Sequence, residues 1–142
     1  MPAVVPPVDT PDDRFFWEGA AAGELRLQRC DGCGRLRHPP RPMCPDCHAL
    51  DWSAVPASGR GVVYSWIASR HPTEPDAAPR IVVLVELDEG VRLVSNLVDV
   101  DESEVANGAP VEVCFVRHDT RTGPVTLPQF RLAGRTANGG TR

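Results

Sequence analysis

Hydrophobic and polar positions alternate along this chain in short runs, and the runs change character near Gly59. Before that point, ELRLQRC alternates as a half-buried strand does, and LDWSAVPASG follows as a second short strand. After it, five runs read as regular strands: GVVYSWIAS, RIVVLVEL, VRLVSNLVDV, PVEVCFVR and LPQFRL. Asp88, Glu89 and Gly90 separate the second and third of these as a tight hairpin loop, the glycine supplying the positive φ of a bulged turn. In PVEVCFVR the alternation sets Val111, Val113 and Phe115 on one face and Glu112, Cys114 and Val116 on the other. The acidic run from Asp99 to Glu104 reads as a solvated loop, with a single helical turn as its alternative.

A short helix precedes the strands. Thr10 is its predicted cap, Pro11 its first helical residue, and Asp12 and Asp13 face the positive end of the dipole. Phe15, Phe16, Ala20 and Ala22 continue the helix to an end near Gly23. The aromatic run Phe15-Phe16-Trp17 forms a face that packs on its own domain or, as the second reading, on a partner. These elements divide the chain into a tail or linker at 1–9, a helix and ribbon at 10–57, a barrel at 58–134 and a tail at 135–142. The expected fold class is mostly β, with the helix and a ribbon of short strands followed by a five-stranded OB-fold barrel. A sandwich with missing strands, or another small barrel, would give the same strand count.

Composition narrows the partners. The 142 residues include 15 prolines and 12 glycines, which suits many turns and short elements. All 15 basic residues are arginines, and the formal net charge is -4. An acidic chain is a poor bulk binder of nucleic acid or of an anionic membrane. No apolar run reaches the length of a membrane span, and MPAVVPPVDTPDD lacks the basic start and apolar stretch of a secretory signal. The expected location is the cytoplasm, where disulfides are disfavoured and paired cysteines serve as metal ligands or redox thiols.

The stretch RCDGCGRLRHPPRPMCPDCH, from Arg29 to His48, holds two Cys-x-x-Cys pairs, Cys30/Cys33 and Cys44/Cys47. Two such turns present four sulfurs to one tetrahedral ion, and the ten residues between the pairs let the turns face each other. Gly34 suits a left-handed position after the first pair, and His48 holds the matching position after the second. The predicted ligands are Cys30, Cys33, Cys44 and Cys47, and the predicted ion is Zn²⁺; iron fits the same set. A redox dithiol needs one such pair at a helix start after a strand, which leaves no place for two. Four thiolates fill the coordination shell, so the metal is structural rather than catalytic. They also leave formal charge -2 on a zinc centre, which Arg29, Arg35, Arg37 and Arg41 lie close enough in sequence to offset. The functional alternative is that Arg35, Arg37 and Arg41 bind phosphates of a ligand, because guanidinium matches phosphate geometry.

No other chemistry is spelled out. Cys114 lacks an indicated base and acid, so it reads as an inert small side chain. His38, His48 and His71 are lone histidines in proline-rich loops. Tyr64 and Trp66, two residues apart, are expected on one face, where they could stack bases in the manner of a single-strand binder.

The order of parts, a helix ending in FWEGAAAGELRLQRCDGCG, the knuckle PPRPMCPDC and the closing strand LPQFRL, resembles the bacterial and archaeal acyl-CoA-associated family. In that family a rubredoxin-like zinc ribbon is joined to an OB-fold, and the resemblance runs from about Asp12 to Ala133. It implies an accessory subunit without general chemistry of its own, associated with thiolase-fold enzymes. These include acetoacetyl-CoA thiolases, sterol-carrier-type thiolases and the aldolases of bacterial steroid side-chain degradation. In the aldolase case the family occurs as a C-terminal domain behind a hot-dog-fold enoyl-CoA hydratase subunit. The proline-rich start is similar to the linker of such a fusion, and the all-arginine composition suits a high-GC actinobacterial genome.

The resemblance thus implies a hetero-oligomer in which the chain binds a thiolase-like aldolase, docking through the ribbon and through Phe15, Phe16 and Trp17. It would help to bind an acyl-CoA for retro-aldol cleavage in cholesterol side-chain degradation, releasing propionyl-CoA, with the catalytic base on the partner. The alternatives are an accessory subunit of an ordinary thiolase, an OB-fold single-strand binder, and a free-standing hydrolase or transferase.

Overall fold

The computed structural model describes residues 4–8 and 10–134, so the expected tail at 135–142 lies outside the described residues. Helix α1 spans Arg14–Ala21, three residues later than its predicted first residue. Residues 11–13 form a turn ahead of it, because Asp13 does not cap the helix and instead accepts from the Thr10 N–H and hydroxyl, at 3.2 and 2.5 Å. The Thr10 carbonyl accepts from Arg14 at 3.1 Å, so the chain is wound from Thr10 onward. The helix ends as expected, with Gly23 in the left-handed region.

Three antiparallel strands follow: β1 (Arg26–Cys30), β2 (Leu36–Arg37) and β3 (Trp52–Pro56), in the order β2-β1-β3. The central strand β1 sets Leu27 and Gln28 in full burial on opposite sides. Leu27 is ordinary core. Gln28 carries an amide that needs partners once water is gone. It finds them in the backbone of Arg41, donating to the carbonyl at 2.9 Å and accepting from the N–H at 2.8 Å. One side chain thereby ties the proline-rich loop after β2 onto β1, as a further strand would.

The remaining strands are β4 (Arg60–Ser69), β5 (Arg80–Leu87), β6 (Arg92–Leu97), β7 (Pro110–Thr120) and β8 (Gly123–Leu132). They close into a barrel in the order β4-β5-β6-β8-β7, with β6 and β8 parallel at Leu97 and Phe130 and the pairs β4–β5, β5–β6 and β4–β7 antiparallel. This is the five-stranded Greek-key barrel expected of an OB-fold. Its interior is filled by alternate residues, among them Val63, Val83, Val85, Leu97, Val111 and Phe130. Full burial of one Val or Leu side chain stabilises by roughly 1.5–3 kcal/mol, so this apolar interior is the barrel's main source of stability. Gly90 turns the β5–β6 hairpin with φ 91°.

Two expectations are corrected. Glu102–Glu104 form a 3-10 turn rather than a plain loop, because Asp101 accepts from the Ser103 N–H while Glu104 reaches back to the Asp101 N–H. Tyr64 and Trp66 do not share a face, because a β-bulge breaks the register between Val63 and Ser65. Trp66 then pairs with buried Val83, on the inner face, while Tyr64 is exposed outside with the Arg92 guanidinium 3.7 Å above its ring.

The chain forms two compact units. Of the described residues, one comprises Gly59–Cys114 and 129–134; the other comprises those up to Ser58 and Phe115–Pro128. Within the first, Gly61 lies where β5 passes so closely that a Cβ would overlap the Glu86 carbonyl. Gly61→Ala is expected to lower stability by about 1–3 kcal/mol, as overpacking does. Urea unfolding measures it, and an unchanged midpoint would mean that β4 and β5 can separate at no cost.

Candidate metal centre

Each Cys-x-x-Cys pair folds into the same turn. In the first, the Cys30 N–H donates to the Arg35 carbonyl and the Gly34 N–H donates to the Cys30 carbonyl, both at 2.9 Å. In the second, Cys44 donates to Ala49 and His48 donates to Cys44, again at 2.9 Å. Gly34 and His48 both take left-handed backbones, with φ 78° and 64°. The correspondence expected between these positions is therefore real, and His48 holds it although a side chain there costs about 1–2 kcal/mol.

The two turns bring the four sulfurs within 4.8 Å of one another. Cys30 lies 3.5 Å from Cys47, and Cys33 lies 3.8 Å from Cys44. Four thiolates around one ion at the usual metal–sulfur distance stand about 3.8 Å apart, so the set fits a tetrahedral metal without rearrangement. The surrounding N–H groups favour thiolates at two of the four positions: the Cys33 N–H, against the opposing effect of burial, holds Cys30 down to about 6, and the Cys47 N–H lowers Cys44. At Cys47 the Ala49 N–H acts in the same direction, but the neighbouring Cys30 sulfur and burial outweigh it and push the thiol up to about 11. Cys30 and Cys44 are buried while Cys33 and Cys47 are exposed, so the centre sits at the unit's surface with two ligands rooted in its interior.

The surrounding residues fall into distinct places. Arg35 pairs with Asp46 at 3.0 Å, joining the two turns across solvent, where such a pair contributes about 0–1 kcal/mol. Arg29 and Arg41 are exposed. Arg37 is buried and donates from Nη2 to the Arg41 carbonyl at 3.0 Å. Phe16 is buried between Trp17 and His38, with ring centroids 5.1 and 5.3 Å away, and Phe15 lies against Trp52 at 4.8 Å. The aromatic run thus packs largely within its own unit. Sequence reading missed Gln28; its signal was a lone amide at an alternating position of β1, across from Arg37.

In the barrel, burial raises the Cys114 thiol, Arg131 opposes this, and Asp99 and Glu112 add to it, which keeps the group protonated and a weak nucleophile. A groove of about 380 Å³ is lined by Ala78, Pro79, Ile81, Val100 and residues 101–103. Its polar groups are already engaged: Asp101 caps the 3-10 turn and Glu102 pairs with Arg70 at 2.6 Å. No described helix is long and apolar enough to cross a membrane.

Comparison with known proteins agrees with this construction. Residues 17–53 match the family described as "ChsH2, rubredoxin-like zinc ribbon domain", and residues 54–116 match "ChsH2, C-terminal OB-fold domain". A solved structure described as "Ltp2-ChsH2(DUF35) aldolase" superposes with TM-score 0.81 and 43% identity, over 90% of this chain and 99% of that one. The chain belongs to the DUF35 family of ribbon and OB-fold proteins. A DUF35 relative from Thermomonospora curvata, named "Probable enoyl-CoA hydratase alpha subunit", is 45% identical over 86% of this chain and 38% of its own length. The "3-oxo-4,17-pregnadiene-20-carboxyl-CoA hydratase alpha subunit" of Mycobacterium tuberculosis is 39% identical over 80% of this chain and 37% of its own. The chain therefore spans less than two-fifths of the length of these two relatives.

Two outcomes are expected. Cys44→Ala should release the metal and unfold the ribbon, because structural metal binding contributes directly to folding free energy; a variant that keeps stoichiometric metal by elemental analysis would show that three thiolates suffice. Burial holds His38 down to about 4, below its ordinary 6.5. As pH falls below 6.5 the unfolded chain takes up a proton that the folded chain refuses, so stability declines towards pH 4 and is level above. The full difference is on the order of 3 kcal/mol. Urea unfolding at pH 7.5 and 5 should show a larger loss for the wild type than for His38→Phe, and equal losses would remove His38 from the account.

Proposed function

We propose that this DUF35 chain is an accessory subunit or domain of a thiolase-like aldolase. The carrying observation is the near-complete superposition on the chain of an aldolase described as Ltp2-ChsH2(DUF35), at 43% identity. The sites agree with a non-catalytic role. The four-thiolate centre has no vacant position for substrate once filled, and Cys114 is held in its unreactive form. Zn²⁺ is the ion this sulfur set would hold, and its part is to fix the ribbon's shape. The ribbon and α1 dock on the partner, with Trp17 the member of the aromatic run whose indole N–H has no acceptor among the described residues.

The barrel and the ribbon arginines help to bind an acyl-CoA. The substrate class follows the steroid carboxyl-CoA named for the M. tuberculosis relative: retro-aldol cleavage of a steroid side-chain thioester, releasing propionyl-CoA, with the base on the partner. The assembly is a cytoplasmic hetero-oligomer without nucleic acid or membrane. A single-strand binder would want a shared stacking face, and the bulge in β4 divides Tyr64 from Trp66.

The test is co-expression with a thiolase-like protein encoded beside this one, then assay of that partner with and without the chain. Retro-aldol turnover in the complex, and at least tenfold less from the partner alone, is the expected result. A stable complex that only transfers acyl groups to free CoA would move the chain to an ordinary thiolase. Turnover by the chain alone, or no complex, would overturn the accessory role.

A further inference from the structure

Arg37 is 8% exposed, yet two of its three guanidinium nitrogens, Nε and Nη1, have no acceptor among the described residues. Guanidinium cannot shed its charge, so it stays a cation with unspent donors in dry surroundings. A buried, uncompensated charge favours any state in which an anion meets it. The one acceptor Arg37 does hold is the carbonyl of Arg41, whose N–H and carbonyl are both gripped by Gln28. Three hydrogen bonds thus fix the Arg41 backbone against the Arg37 guanidinium and Gln28, and no described carboxylate pairs with either arginine. Arg35 differs, being already neutralised by Asp46.

We propose that Arg37 and Arg41 form a gated site for a phosphoryl group. The two unspent donor nitrogens of Arg37, together with the positive charge of the exposed Arg41 side chain on the loop it holds, match the charge and the multiple oxygens of a phosphate better than those of a single carboxylate. The open nitrogens are covered in the free chain, so entry requires the 38–41 segment to lift from Gln28. Phosphate then supplies the acceptors that Nε and Nη1 lack, and the exposed Arg41 side chain closes on it. The site deepens the accessory reading and rests on it only for the phosphate's carrier, the coenzyme A portion of a thioester.

The test uses the whole metal-loaded chain, ¹⁵N-labelled and titrated separately with inorganic phosphate, sodium acetate and coenzyme A. Saturable shifts of the Arg37 Nε–H are expected with phosphate and coenzyme A, with acetate at least tenfold weaker. Arg37→Gln should lose at least tenfold in phosphate affinity with its metal content unchanged. Should that variant fail to hold metal, Arg41→Gln, altered only at an exposed side chain, makes the same comparison. Hydrogen exchange at the Arg41 N–H should accelerate at saturating phosphate.

Binding of phosphate without coenzyme A keeps the site and makes free phosphate its source. An equal response to acetate, no saturable shift, or variants that bind as the wild type does would overturn the site. Unchanged protection of the Arg41 N–H would overturn the gate. Formation of the partner complex is read separately, so its loss counts against the accessory role and absent phosphate binding counts against the site alone.

Discussion

Convergence of four sulfurs on one point is the constraint from which the rest of the ribbon follows. Its sheet holds one five-residue strand flanked by strands of two and five, too little apolar surface for an independent core. Bonds from the four sulfurs to a metal would replace that core. Because both turns must present sulfurs in one direction, each adopts the same backbone bonds and the same left-handed fifth position. Arg35 and Asp46 then meet across the turns, and β2 is drawn alongside β1.

A second constraint is the fully buried amide of Gln28, which turns a proline-rich loop with few backbone donors into part of the sheet. Its cost is positional. The loop it holds brings Arg41 to Arg37, and a guanidinium is buried with most of its donors unspent. A small unit that tolerates such an arrangement does so in only two ways: by burying the cation under enough packing to hold it, or by meeting an anion. The charge of the wider chain argues for the second, since acidic residues outnumber basic ones 19 to 15 and yet none of the described ones pairs with Arg37.

The barrel works by different physics. Its order and its parallel β6–β8 contact close the sheet on itself, which leaves no free edge, and its interior is apolar, mostly Val and Leu with Phe130 among them. Nothing in it requires a metal. What it offers outward is decided by the bulge in β4, which sends Tyr64 out under Arg92 and Trp66 in against Val83. A barrel whose exposed tyrosine is covered by Arg92 and whose tryptophan faces inward makes a poor stacking platform for bases.

Five barrel strands, the ribbon's ligands and the short helix could all be read from the chain, because alternation and Cys spacing are local signals. Less local features were hidden. β2 is only two residues long, and β7 and β8 run beyond their apolar stretches into the polar residues around Arg121, where backbone pairing outweighs side-chain pattern. The one-residue slip in β4 set Tyr64 and Trp66, expected on one face, on opposite faces, since a period of two carries no trace of a bulge. The sequence alone determined that four cysteines in two matching pairs would precede a small barrel in the chain. Only the tertiary structure decided which arginines stay in water and which is buried with no counter-ion among the described residues, because that depends on where a distant amide pins the loop.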